Sequence, residues 1–230
     1  MDHIEEIDDE ARDSSPIGER ALALWEIASV SSSFLIAAWI ILPFVGNSKL
    51  VGVVPVGLAF VLMWLSHRAR LETARDVGWR LDNFFEAARL LVLPMLAAAI
   101  VIIIVGWLGK SLRFDWTLFW RRLLWLPVWG FMQEYVMQGF INRRAQIIFG
   151  KGWRSILFVA ALFALFHLPN PWLALATFAG GVLWASVYQR APNLLALGLS
   201  HGLMALLLAS QLPASALNGL RVGFKYFGYN

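Results

Sequence analysis

Three ionisable side chains lie inside long apolar stretches of this sequence, where water does not normally reach them: Glu134, His167 and His201. Proteins use carboxylates and imidazoles as general bases, as stabilisers of a developing negative charge and as zinc ligands. An ionisable group at the centre of a bilayer costs about 2.5–3.5 kcal/mol on insertion scales. Three such groups in one small protein therefore indicate a functional site.

The distances of these residues from flanking basic residues give their depths in a membrane. With a helical rise of about 1.5 Å per residue, Glu134, His167 and His201 lie about 13, 20 and 16 Å from the basic ends of their helices. All three rise from the same side to nearly the same level. We therefore predict that three helices bring the acid and both imidazoles to one mid-membrane pocket, around one water molecule.

The elements that must position these groups are membrane-spanning helices. Hydrophobic residues make up 59% of the 230-residue chain and charged residues only 15%, whereas a soluble domain has about 25% charged residues. Apolar runs of about 17 to 30 residues contain no Asp, Glu, Lys or Arg, which is long enough to cross a bilayer. We predict an all-α, polytopic transmembrane helical bundle with about seven spans, within a range of six to eight. The predicted spans cover residues 27–44, 50–66, 90–108, 123–142, 155–167, 172–189 and 193–212.

The charge pattern divides the chain into three parts. Residues 1–26 form an acidic, partly disordered tail, residues 27–220 a single membrane-embedded helical domain, and residues 221–230 a basic, aromatic C-terminal tail. The connectors after the second and fourth spans are strongly basic, which predicts a cytoplasmic N-terminus. The basic connector 110–122 conflicts with this orientation, so either Arg121 and Arg122 reach the interface from an interfacial helix or the span count is wrong by one.

The remaining composition excludes several classes of function. The chain has no cysteine, which excludes disulfides, thiol catalysis and thiolate metal sites. Its basic residues flank spans, so they indicate insertion topology and lipid contact rather than nucleic-acid binding. We expect an integral protein of a bacterial cell membrane with no nucleic-acid partner. The other acids after residue 26, and two of the four histidines, are predicted to lie in water-solvated places: Glu72, Asp76, Asp82, Glu86, Asp115, His3 and His67.

Three short motifs surround the buried ionisable residues. The stretch from Gln133 through Glu134 to Gln138 and the following glycine resembles the EExxxR-G motif of the CPBP family, the intramembrane proteases related to type II CAAX-processing enzymes. Phe163 to His167 resembles the FxxxH motif of that family, and His201 its final histidine motif, usually HxxxN. The resemblance implies a multi-helix bundle with a mid-membrane site for peptide-bond hydrolysis. Its partners would be the bilayer and a peptide or protein substrate, in some cases membrane-anchored.

The sequence departs from the family pattern at three positions. Gln133 stands where the family has its first glutamate, which is thought to activate water, Gln138 stands for the arginine, and Ala205 for the final asparagine. A glutamine cannot act as a general base. Either Glu134 takes that role, with Gln133 and Gln138 orienting it, or the protein is a non-catalytic relative.

The leading hypothesis is hydrolysis of a peptide bond by a glutamic-type mechanism without a cofactor. Glu134 is the general base on a water also held by His167, and His201 donates a hydrogen bond to the developing oxyanion. Phe163 and Asn170 are predicted to line the site, and Asn170 and Asn193 are candidates to replace the missing family asparagine.

Three alternatives remain open. In a metallopeptidase version, Glu134, His167 and His201 bind zinc. In a second, the protein is a pseudoprotease or scaffold that binds a partner's transmembrane segment without cutting it. A transporter or proton relay would need polar residues along a path, whereas the sequence places one cluster at one level. Nothing in the sequence specifies the substrate.

Overall fold

The described part of the chain is helical throughout its regular structure. The structure is a computed structural model that describes residues 16–41, 49–111 and 116–228, with no strand in these ranges. The α-helices are α1 Pro16–Ile36, α2 Lys49–Ala69, α3 Ala74–Val77, α4 Phe84–Leu108, α5 Trp116–Glu134, α6 Arg143–Phe149, α7 Trp153–Leu165, α8 Pro171–Arg190, α9 Leu194–Gln211 and α10 Ala214–Leu217. Two π-helical segments, Ala37–Ile41 and Tyr135–Asn142, and two 3₁₀ turns, Asn218–Leu220 and Gly223–Phe227, complete the described elements.

Four segments are long and apolar enough to cross a membrane, by length and composition: Ile17–Ile41, Phe84–Leu108, Pro171–Arg190 and Leu194–Gln211. Two more apolar helices, Val53–Ala69 and Trp153–Leu165, are shorter. The prediction of an all-helical membrane protein is confirmed. The predicted number of about seven spans is not, since only four described segments meet the length and hydropathy of a complete span.

Helix α1 begins earlier than predicted. It starts at Pro16, so residues 16–26, which were assigned to the acidic tail, are helical. Residues 1–15 and residues 42–48, which include the predicted boundary between the first two spans, lie outside the described residues. The charge of Glu26 is compatible with an apolar helix because Arg70 and Arg144 neutralise it, with N–O distances of 3.1 and 3.0 Å.

The predicted connector 110–122 is also shorter than expected. Helix α5 begins at Trp116, and it therefore includes Arg121 and Arg122. The guanidinium of Arg122 donates a 2.6 Å hydrogen bond from Nη1 to the carbonyl of Ala209 near the end of α9. That acceptor, together with the length of the side chain, lets the arginine lie within the helix rather than before it.

The central element of the bundle is the rod formed by α5, the π-helix Tyr135–Asn142 and α6. Helix α9 packs against α5 and α4, α8 packs against α7, and α1 packs against α2 and α6. Residues 136–142 of the π-helix are all buried. A π-helix is rare and is frequently found at functional sites. Here it directly follows Glu134 in the first family motif.

A buried ionic cluster joins α1, α2 and α6 at the basic end of this rod. Its central residue, Arg144, is completely buried. The guanidinium of Arg144 donates from Nη1 to Glu72 at 2.9 Å and from Nη2 to Ser66 Oγ at 2.7 Å. Its Nε lies 3.0 Å from Glu26 Oε2, as an ion pair without hydrogen-bond alignment. Arg144 therefore ties the N-terminal helix to the rod that carries Glu134.

The expectation that Glu72 and His67 are solvated is wrong. Their side chains are only 10% and 9% exposed, and His67 Nδ1 donates to Glu72 Oε2 at 2.6 Å. Burial acts to raise the pKa of Glu72, but the hydrogen bond from His67 and the charges of Arg144 and Arg143 outweigh it and hold that pKa at about 2. The sequence did not indicate this burial because the neutralising arginines lie about 70 residues further along the chain.

Candidate active site

The first contact in the site joins the glutamate of the first motif to the histidine of the last motif. His201 Nδ1, on α9, donates a 2.8 Å hydrogen bond to Glu134 Oε1, at the end of α5. The Glu134 side chain is completely buried and that of His201 is 8% exposed. The second oxygen, Glu134 Oε2, is buried with no hydrogen-bond partner among the described residues. One carboxylate oxygen is thus fixed, and the other is free to accept a proton.

Three glycines allow this contact by letting α5 and α9 cross at backbone distance. A Cβ added at Gly202, next to His201, would lie 2.6 Å from Pro127 Cα, and one added at Gly130 would lie 2.8 Å from the carbonyl oxygen of Gly198. Real Cβ atoms do not come this close to backbone atoms. Gly198 and Gly202 have the small-xxx-small spacing found at tight helix crossings in membranes.

His167 presents one unprotonated nitrogen to the site. It lies in the turn after α7, where its Nδ1 donates to the carbonyl oxygen of Phe163 at 2.8 Å. Since a carbonyl oxygen only accepts, a neutral ring carries its proton on Nδ1 and its lone pair on Nε2. Nε2 lies 3.5 Å from Gln133 Nε2, at the long limit for a hydrogen bond. The residue beside His167 is therefore Gln133, and the residue bonded to His201 is Glu134.

Two aromatic rings surround the histidines. Phe163 meets both imidazoles edge to face, at ring-centroid distances of 5.0 Å to His167 and 5.6 Å to His201. Trp184, on α8, stacks flat on His201 with centroids 4.4 Å apart and planes 8° apart. The predicted residue Phe163 thus contacts both imidazoles, and it brings them into one aromatic-walled cluster.

Gln138 lies one turn beyond Glu134 on the buried face of the π-helix. Its Oε1 accepts a 2.8 Å hydrogen bond from Asn142, which begins a buried amide network with Gln146 and Gln189. Its Nε2 is buried and has no partner within the described ranges. Gln138 therefore presents an unused donor one turn away from the unused acceptor Glu134 Oε2.

Asn170 is not brought to the Glu134–His201 pair. Its Oδ1 caps α8 by accepting from the amide of Leu173, and its Nδ2 donates to the carbonyl oxygens of Leu217 and Arg221. Asn193 is used in the same way: it caps α9 and donates to Arg80. The Asn170 side chain is therefore used to cap α8 and to hold the C-terminal segment, and its link to His167 is a backbone hydrogen bond from its amide to the His167 carbonyl oxygen.

The three ionisable side chains do not form a ready metal site in this conformation. Over residues 16–41, 49–111 and 116–228, no group of three or more His, Cys, Asp and Glu side chains is arranged to hold a metal ion. Instead, the nitrogen of His201 that faces Glu134 is used in a hydrogen bond to it. A zinc site on Glu134, His167 and His201 would require these side chains to rearrange.

Sequence reasoning missed the residues that hold the site together. The glycine spacing around His201 is a signal that could have indicated a close helix crossing. Trp184 gives no such signal, because its stacking partner lies on another helix and tryptophans are common at membrane interfaces.

Comparison with known proteins links this part of the chain to one family. A family model described as type II CAAX prenyl endopeptidase, Rce1-like, matches residues 115–207. The matched region contains all three motifs, and the resemblance inferred from them is confirmed. No curated protein and no solved structure matches the chain. The match relates residues 115–207 to a protease family, and the apolar helices indicate an integral membrane protein.

Proposed function

We propose that this chain, whose residues 115–207 match the model of a type II CAAX prenyl endopeptidase family, is an intramembrane endopeptidase that hydrolyses a peptide bond of a peptide or protein segment. The observation that carries this proposal is the buried 2.8 Å hydrogen bond between Glu134 and His201. Ionisable groups inside a membrane bundle are costly to insert, and a carboxylate and an imidazole paired there usually mark a functional site. Phe163 and Gln133 bring His167 to the same cluster.

The roles follow from the free atoms of the site. Glu134 Oε2, which has no partner among the described residues, takes a proton from a water molecule that also donates to His167 Nε2. The Gln133 amide lies beside that nitrogen and orients the water. The resulting hydroxide adds to the substrate carbonyl carbon. His201, in its imidazolium form, donates from Nε2 to the oxyanion. Removing one such donor from other enzymes raises the activation free energy by about 2.7–4 kcal/mol. Collapse breaks the C–N bond, and Glu134 returns the proton to the leaving amine.

The test uses purified protein in proteoliposomes with a panel of single-span peptides and one farnesylated peptide in H₂¹⁸O. Mass spectrometry detects hydrolysis as ¹⁸O in the new C-terminal carboxylates. We expect Glu134→Gln and His167→Ala to abolish cleavage, because each removes one acceptor for the water proton. The matched control is Glu86→Gln, an exposed carboxylate on α4. Undiminished turnover in either site variant would remove this mechanism.

A non-catalytic scaffold is the second candidate function, and one observation favours it. The side chain beside His167 Nε2 is the amide of Gln133 rather than a carboxylate, so the position aligned with the water-activating glutamate of the family carries no base. A scaffold would cleave no peptide in the panel, and its Glu134→Gln variant would keep full biological function. A peptidase would lose that function in the same variant.

Metal dependence is decided by separate measurements. In the glutamic mechanism, turnover is unaffected by chelators and the purified protein binds no stoichiometric zinc. In the metal version, zinc restores turnover after chelation, and His201→Ala reduces the zinc content of the protein. Either result is compatible with the peptidase proposal and decides between the glutamic mechanism and the metal mechanism.

We also propose a cytoplasmic N-terminus in a bacterial cell membrane. The basic residues Arg70, Arg143 and Arg144 lie together at one end of the bundle, around Glu26 and Glu72, and basic ends of spans face the cytoplasm. Because the sequence has no cysteine, a single Arg75→Cys change gives a clean reporter. Labelling of intact cells by an impermeant thiol reagent would contradict the orientation, and labelling only after lysis would support it.

A further inference from the structure

A polar group holds the His201 ring at one edge. Among the described residues, Glu134 is its hydrogen-bond partner, at Nδ1. A hydrogen bond at Nδ1 restrains rotation of the ring about the Cβ–Cγ bond, but it tolerates tilting of the ring plane because hydrogen bonds accept a range of angles. The direction of Nε2, the atom on the opposite side of the imidazole, depends on that plane. A contact on the face of the ring would therefore define the direction of Nε2 more narrowly than Glu134 alone.

Trp184 supplies a flat surface on which the ring plane rests. Its indole is parallel to the imidazole within 8°, at a centroid distance of 4.4 Å. Phe163 meets the same ring at 67° and 5.6 Å, so it limits sliding of the imidazole but does not define its plane. The indole is the parallel contact, and any tilt of His201 about its hydrogen bond would break the stack.

The indole is itself fixed from two sides. Its Nε1 donates a 3.0 Å hydrogen bond to Ser200 Oγ, which in turn donates to the carbonyl oxygen of Leu197 at 2.8 Å. One turn earlier on α8, Gly180 leaves room for the ring, because a Cβ there would lie 2.5 Å from Cζ3 of Trp184. Ser200 precedes His201 in sequence, so the indole is anchored to the same turn of α9 as the ring it orients.

We propose that Trp184 is a positioning residue for His201: stacked on the imidazole, anchored to Ser200 and backed by Gly180, it fixes the direction in which His201 Nε2 meets the reacting carbonyl. This role rests on the proposed peptidase function for its kinetic consequence. Its structural content, the fixed orientation of the His201 ring, does not depend on turnover. Trp184 touches His201 and has no assigned contact with the reacting atoms.

The kinetic experiment compares Trp184→Leu and Trp184→Phe in the proteoliposome assay. A misplacement of about 1 Å can reduce turnover about 100-fold. We expect Trp184→Leu to lower kcat about 10- to 100-fold with KM changed less than about twofold, because orientation is used in the transition state. Trp184→Phe keeps an aromatic face and should recover part of kcat. The matched controls are Trp172→Leu and Trp172→Phe, at an exposed tryptophan at the start of the same helix. Unchanged kcat in Trp184→Leu overturns the proposal.

The second readout needs no substrate. In histidine-labelled protein, solid-state NMR resolves the His201 ring protons, which are assigned by their loss in His201→Ala. The stacked indole should shift them upfield by its ring current. We expect this shift to disappear in Trp184→Leu, to decrease in Gly180→Ala, where the new methyl group displaces the indole, and to persist in Trp172→Leu. Persistence in Trp184→Leu overturns the proposal.

The two readouts separate this inference from the proposed function. If the wild-type protein cleaves no peptide but the ring shifts behave as expected, the peptidase function fails and the positioning of His201 by Trp184 stands. If Trp184→Leu fails to insert or fold, Trp184→Phe and Ser200→Ala test the same contacts with smaller changes. In those variants, wild-type kcat together with unchanged His201 ring shifts would overturn the proposal.

Discussion

The close crossing of α5 and α9 makes Gly202→Ala the most informative single substitution. The new Cβ would lie 2.6 Å from Pro127 Cα, whereas ordinary contact begins at 3.4 Å, so the helices must separate by about 0.8 Å. If the site follows this movement, the Glu134–His201 distance rises from 2.8 Å to about 3.6 Å, beyond hydrogen-bond range. Overpacking of this kind costs about 1–3 kcal/mol of stability. We expect turnover to fall about 10- to 100-fold, because the reacting groups are misplaced.

The assay pairs this variant with Gly57→Ala on α2, where a Cβ meets nothing within 4 Å. Unfolding in mixed micelles with increasing SDS gives the change in the free energy of unfolding, and the proteoliposome assay gives kcat. The control should be neutral or slightly more stable, because alanine is the better helix former. Gly202→Ala with the stability and turnover of Gly57→Ala would refute the inference that backbone contact at this crossing positions the site.

Three further predictions concern the polar contacts away from the pair. Because the pKa of Glu72 is about 2 in the folded protein and 4.5 ordinarily, its stabilising contribution is present above pH 4.5 and is lost as the pH falls toward 2. SDS titration should show that the free energy of unfolding falls by about 2 kcal/mol by pH 3, and Glu72→Gln should remove this part of the pH dependence. Arg144→Met should cost about 3 kcal/mol in the same assay, since the buried carboxylates of Glu26 and Glu72 lose one cationic partner each and keep the others, and adding Glu26→Gln should restore part of that loss. Tyr188→Phe should cost about 1 kcal/mol, measured likewise, since it removes the 2.8 Å hydrogen bond from the hydroxyl to the carbonyl oxygen of Val77; equal stability of variant and wild type would contradict either of the last two predictions.

The ionic cluster illustrates where prediction from sequence stopped. Glu72 and His67 follow a polar pattern that is typical of a solvated connector, and nothing local distinguishes them from Asp82, which is exposed and pairs with Arg80. Their burial depends on Arg144, more than 70 residues later. A charged residue type therefore indicates that burial would cost free energy, but it does not show whether the residue is buried, since an opposite charge from a distant part of the chain can offset that cost.

The predicted helix boundaries were inaccurate for the same reason: charged residues were placed outside the helices. The predicted first span began after the acidic residues of the tail, at residue 27, and the predicted fourth span began after Arg121 and Arg122, at residue 123. Paired or snorkelling side chains allow helices to extend through such residues. The starts of α8 and α9, by contrast, lie close to prediction, because Asn170 and Asn193 cap the N-termini of these helices with local hydrogen bonds.

The sequence by itself determined the class of the molecule and the identity of its unusual residues. Long charge-free apolar runs indicate helices in a membrane, since a helix satisfies its backbone hydrogen bonds within one segment, and the three motifs indicated a resemblance to one family. Only the tertiary structure decided which groups meet: Glu134 with His201, Gln133 with His167, and Trp184 flat against the His201 ring. These pairings depend on the phase of a π-helix, which the spacing of residues does not specify, and on a helix crossing whose partner helix the glycine spacing around His201 does not identify.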